Sequence, residues 1–181
     1  MIITGDEILK YWRSGEIMID PFTSDRLEPN SYGFRLGQDL KVYDDPILDS
    51  AKKSDSSSFN ITDDGFLLMP DTLYLGHTHE KIGSPNFAMT LYGNRSTAAM
   101  GIWIQHSAPL GHIGSFGVWT LEIRVTQPVR IYREMTIGKI AFWCAVGKPS
   151  PYVGKYPASG RPVPSRISEE FLGGSGQKGG G

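Results

Sequence analysis

The chain is cut into short apolar runs with turn residues between them. Ile17 to Ile19, Ser31 to Leu36, Leu40 to Tyr43, Phe66 to Met69, Thr72 to Gly76, Asn86 to Leu91, Gly117 to Val125, Val129 to Tyr132 and Ile137 to Ala145 are each only a few residues long. Glycines (22) and prolines (12) punctuate them. Segments of this length, closed by residues that favour turns, predict an all-β fold: many short strands closing into a sandwich or barrel.

One segment departs from this pattern. Thr4-Gly5-Asp6-Glu7 has the form of a capping box, Ile8, Leu9 and Trp12 then fall on one helical face, and Gly15 follows as a stop. It predicts an N-terminal helix packed on a sheet. Residues 50–64 are rich in Ser, Asp and Lys, which predicts a solvated loop. From Val146 the chain becomes rich in Pro and Gly, as expected of an extended arm. Leu172 to Gly181 is of low complexity. The expected organisation is one domain over residues 1–167, its arm covering about 146–167, with a flexible tail over 168–181.

Composition narrows the function. A chain of 181 residues can bury a real core. A net charge of −1 provides no basic field for nucleic acid, so no nucleic-acid partner is expected. No apolar run approaches membrane-spanning length, and the N-terminus does not read as a signal peptide. The single cysteine, Cys144, excludes an intramolecular disulfide and fits a reducing compartment. A cytoplasmic protein without a membrane partner is the expectation. His77 and His79 are spaced to share one face of a strand, but no third ligand with suitable spacing follows, so a surface pair is expected rather than a metal site.

Two stretches carry chemistry. Leu91 to Gly101 joins a strand end, a glycine turn and Arg95-Ser96-Thr97 at the start of a short helical segment. Unpaired backbone N–H groups there, beside a guanidinium and two hydroxyls, suit an anion. Gly117 to Val125 reads as a buried strand with one carboxylate, Glu122, among apolar neighbours. Such a carboxylate resists ionising and suits proton transfer. Phosphate cradle and isolated acid together suggest nucleotide chemistry.

These residues resemble a known family. Arg95-Ser96-Thr97 followed by Thr120-Leu121-Glu122 is similar to the dCTP deaminase family, within the trimeric dUTPase superfamily. Asn30 to Gly37, Ile137 to Phe142 and Gly154 to Ile167 resemble three further segments of it, in the same order. The resemblance implies a dUTPase-like distorted β-barrel or jelly-roll, assembled as a homotrimer with sites at subunit interfaces. It implies hydrolysis of dCTP to dUTP and ammonia, with Glu122 and Ser96 catalytic. Substrate contacts are implied at Arg95, Ser96, Thr97, Ala98, Ala99 and Met100, at Ala108 and His112, at Thr120 and Leu121, and from the arm at Tyr152, Lys155 and Ser159. Mg²⁺ would enter only with the triphosphate. Zinc is not expected, because the His-x-Glu and Pro-Cys-x-x-Cys residues of zinc deaminases are lacking.

The chain departs from the family at three of these positions. Met100 stands where the family carries a second Arg, His112 where it usually has an acid, and Ser159 where it usually has Gln. All three belong to the base and sugar end of the implied site. Alternatives therefore stay open: a dUTPase-type or modified-pyrimidine dNTP hydrolase, or a nucleotide-binding regulator without turnover. A dUTPase normally uses an Asp in the loop that here holds His112.

Overall fold

Residues 1–152, 156 and 160–173 are described by the structure, a computed structural model. The chain opens with helix α1 (Gly5–Ser14). Its N-cap is Thr4, but the hydroxyl makes no capping bond, so the expected capping box does not form. Asp6 and Glu7 still place negative charge at the positive end of the helix dipole. Gly15 ends it at φ 80°, a left-handed conformation that favours glycine. Ile8 is fully buried beneath it.

The strands follow in chain order: β1 (Met18–Asp20), β2 (Leu27–Glu28), β3 (Ser31–Arg35), β4 (Asp39–Tyr43), β5 (Ser56–Asn60), β6 (Phe66–Leu68), β7 (Tyr74–His77), β8 (Lys81–Gly83) and β9 (Phe87–Gly93). Helix α2 (Arg95–Ala99) interrupts them. Then come β10 (Ile102–Trp103), β11 (Leu110–Gly111), β12 (Phe116–Gly117), β13 (Thr120–Val125), β14 (Val129–Ile131) and β15 (Thr136–Cys144). Helix α3 (Ser168–Gly173) closes the described chain.

Two five-stranded antiparallel sheets dominate, ordered β10-β13-β7-β4-β5 and β11-β9-β15-β3-β2. Smaller sheets, β1-β8-β12 and β14-β6, accompany them. The apolar faces share one core, in which Leu40, Leu121 and Ile123 of the first sheet join Phe34, Leu91 and Phe142 of the second. The expected mainly β architecture is therefore present. Glu80, fully buried, accepts from Arg35 Nε at 2.7 Å and from the Arg35 backbone N–H at 2.8 Å. That charge-assisted pair ties β3 to the turn after β7. No helix among the described residues is long and apolar enough to cross a membrane.

Three further expectations need correction. Residues 50–64 are not all loop. Ser56-Ser57-Ser58-Phe59-Asn60 pairs along the whole of β4 as an edge strand. Its partner supplies the backbone hydrogen bonds, so four of its side chains can stay exposed and the alternation that marks a half-buried strand never appears. The run Gly117 to Val125 is not one strand, since Val118 and Trp119 divide β12 from β13. Finally, residues 168–173, expected in a flexible tail, form α3 with Ser168 buried.

Candidate active site

Strand β13 is the element that builds the site. Its side chains alternate: Leu121, Ile123 and Val125 enter the core, while Thr120 and Glu122 face a cavity of about 980 Å³. Glu122 is half-buried, not sealed among apolar neighbours as expected, because its position in the alternation turns it away from the core. Its backbone N–H donates to the Ile104 carbonyl at 3.0 Å. Two residues further on, the backbone N–H of His106 donates to Glu122 Oε2 at 2.8 Å. That bond orients the carboxylate, and Oε1 takes no hydrogen bond from the described residues. Among the described residues that line the cavity, Glu122 is the only carboxylate.

The segment between β10 and β13, which carries β11 and β12, forms much of the wall. Ala108 and His112 both line the cavity. The imidazole of His112 stacks on the ring of Tyr152, with centroids 5.1 Å apart and planes 16° apart. The Tyr152 backbone N–H donates to the Ile113 carbonyl at 2.8 Å, so the start of the arm is fixed to this loop twice. Trp119 forms an apolar wall, anchored by its indole N–H on the Ile82 carbonyl at 3.2 Å. Gly111 packs directly against that indole, where any Cβ would collide with the ring.

The predicted site residues divide into four groups. Glu122, Ala108, His112, Thr120 and Tyr152 are brought together in the cavity. Leu121 is fully buried in the core, so its side chain does not reach it. Arg95 through Met100 form or cap α2 and do not line the cavity of their own chain. Arg95, Ser96, Ala98 and Ala99 are exposed, Met100 is 47% exposed, and Thr97 is buried. The cap of α2 is Asn94, whose Oδ1 accepts from the Thr97 N–H at 2.7 Å. Lys155 and Ser159 lie outside the described residues.

Sequence reasoning missed His106, Trp119 and Tyr43, all in the cavity wall. His106 acts through its backbone, which no side-chain pattern announces. Trp119 and Tyr43 read as strand or turn aromatics until long-range pairing places them. The histidine pair also needs correction. His77 is only 6% exposed, and its Nδ1 donates to the Thr78 carbonyl at 2.8 Å, while Nε2 lies 3.5 Å from Asp39 Oδ2. Burial pushes the His77 pKa down, against the opposing pull of the Thr78 carbonyl and Asp39. Among the described residues, no group of three or more His, Cys, Asp or Glu is placed to hold a metal ion.

Fold and cavity define a mainly β domain with one oriented carboxylate facing a large, partly apolar pocket. Comparison with known proteins supplies the family. The model of the dCTP deaminase-like family matches residues 2–145. A protein of Leptospira biflexa named "dCTP deaminase, dUMP-forming" is 40% identical over 172 residues, covering 94% of this chain and 98% of the relative. One of Hathewaya histolytica with the same name is 37% identical, with 94% and 99% covered. A Rhodopirellula baltica protein named "dCTP deaminase" is 37% identical over 173 residues, with 94% and 86% covered. The chain belongs to the dCTP deaminase-like family. Its fold also matches the crystal structure of 2'-deoxycytidine 5'-triphosphate deaminase from Agrobacterium tumefaciens, with TM-score 0.63 at 16% identity. That match covers 80% of this chain but only about half (48%) of the solved one.

Proposed function

We propose that the protein deaminates dCTP hydrolytically, giving dUTP and ammonia. The observation that carries this is Glu122, turned into the cavity by β13 and held there by the His106 N–H. Glu122 takes a proton from water as the oxygen attacks C4 of the cytosine. It then delivers that proton to the ring nitrogen, and the second water proton reaches the leaving amine as C4–N breaks. His106 holds Oε2, which leaves Oε1 to handle the proton. Arg95 and the neighbouring N–H groups of α2 bind the triphosphate, whose Mg²⁺ arrives with it, Ser96 positions the water and the base beside Glu122, and Lys155 is a further triphosphate contact.

A chain on its own separates α2 from the cavity that holds Glu122. A homotrimer with sites between subunits reunites them, and the exposure of Trp103 (56%) beside α2 supports a covered surface there. The single cysteine supports a cytoplasmic location.

A second reading rests on the relatives named as dUMP-forming. It adds cleavage beside the α-phosphate, which needs a base for a second water. With Glu122 the only carboxylate among the described residues of the wall and His112 where an acid is usual, the triphosphate product is favoured. Incubation with each dNTP, followed by chromatography, decides. Ammonia with intact triphosphate is expected from dCTP. Pyrophosphate release would move the reading to the dUMP-forming activity, and tight binding without product would make the protein a regulator.

A further inference from the structure

The segment Pro162-Val163-Pro164-Ser165 has no strand partner, and its alternating prolines carry no backbone N–H. Only Val163 and Ser165 offer backbone donors there. Both are taken by hydroxyls of the same chain that line the cavity: Val163 N–H donates to Thr120 Oγ1 at 3.0 Å, and Ser165 N–H donates to the Tyr43 hydroxyl at 2.8 Å. Thr120 lies on β13 and Tyr43 on β4, with β7 between them in the sheet. The segment is thus pinned at two points across three strands. Val163 and Ser165 form part of the cavity wall alongside Glu122. The prolines stiffen the segment toward an extended form, so two hydrogen bonds suffice to set its position.

We propose that Tyr43 is a positioning residue for the reaction: with Thr120 it latches residues 162–165 of its own chain against the cavity, and so sets how tightly nucleotide is enclosed. Tyr43 does not act on the reacting atoms. It acts through the arm, so its removal should weaken substrate capture and leave the chemical step unchanged. This rests on the dCTP reading for its kinetic arm only.

The test is Tyr43→Phe, which removes one hydroxyl and keeps the ring. Loss of one hydrogen bond predicts a rise in KM for dCTP of about 2- to 10-fold with kcat within about twofold. Hydrogen–deuterium exchange should show faster labelling confined to residues 162–166. Thr120→Val should by itself speed exchange over residues 162–166, and Thr120→Ser, which keeps the hydroxyl, should leave that exchange at the wild-type rate. Wild-type KM and wild-type exchange in Tyr43→Phe would overturn the proposal, as would exchange raised across the whole sheet, since that marks ordinary destabilisation. If the wild-type protein does not turn over dCTP, the functional reading fails, and the exchange experiment still decides the latch.

Discussion

The imidazole of His112 lies nearly parallel to the phenol ring of Tyr152, at 5.1 Å between centroids. The stack joins the segment before β13 to the start of the arm, and the Tyr152 N–H bond to Ile113 reinforces it. Tyr152→Ala removes an aromatic pair worth about 0.5–1.5 kcal/mol beyond its buried area. We expect substrate affinity to fall about 2- to 12-fold. Tyr152→Phe, which keeps the ring, should behave as wild type; a loss equal to that of Tyr152→Ala would show that the hydroxyl, not the stack, matters.

Glu122→Gln should cut turnover by about 10²- to 10⁴-fold while largely sparing binding of dCTP. The amide oxygen can still accept from His106 N–H, so the loop stays in place, but the side chain no longer shuttles protons. Single-turnover rates and equilibrium binding separate the two effects. A variant retaining most of its rate would remove Glu122 from the mechanism.

Arg95→Ala should weaken dCTP binding, since the phosphate contact proposed for its guanidinium is removed. If α2 of one chain completes the cavity of another, mixing Arg95→Ala chains with Glu122→Gln chains under exchange conditions should restore part of the activity. Some mixed sites then combine an intact Arg95 with an intact Glu122. Light scattering should show a trimer. Failure of complementation between two variants that demonstrably exchange subunits would place the whole site on one chain.

Gly111→Ala should destabilise the protein, because the new methyl would collide with the Trp119 indole. Overpacking of this kind costs about 1–3 kcal/mol. For a chain of this size each kcal/mol lowers Tm by about 2–4 °C. An unchanged melting curve would mean that the Trp119 wall yields readily, and activity toward bulkier bases should then be tested.

Stability should depend on His77. Burial depresses its pKa in the fold, while in the unfolded chain it titrates near 6.5. The unfolded state therefore binds the proton more readily. Stability is fully present above about pH 6.5 and declines as the pH falls below it. His77→Gln, compared with wild type by denaturant titration at pH 7.5 and pH 5.5, should lose less stability on acidification. An identical loss in both proteins would assign the pH dependence to other groups.

Much of the fold and part of the site were legible in the sequence. The alternation of Thr120, Leu121, Glu122 and Ile123 fixes which side chains share a face of β13, because side chains on a strand alternate whatever surrounds them. Glycine and proline punctuation identified most strands, and the motifs around Arg95 and Glu122 identified the family. Tertiary structure decided the rest, because periodicity describes one strand and not its partners. The Ser-rich β5 exists only because β4 offers it an unpaired edge. The buried state of His77 follows from the approach of Gly37 and Asp39, not from its spacing to His79. The His106 bond to Glu122 and the grip of Thr120 and Tyr43 on Val163 and Ser165 are contacts between backbone N–H groups and side chains distant in the chain. Every non-proline residue carries a backbone N–H, so only the folded arrangement determines which of them meets a carboxylate or a hydroxyl.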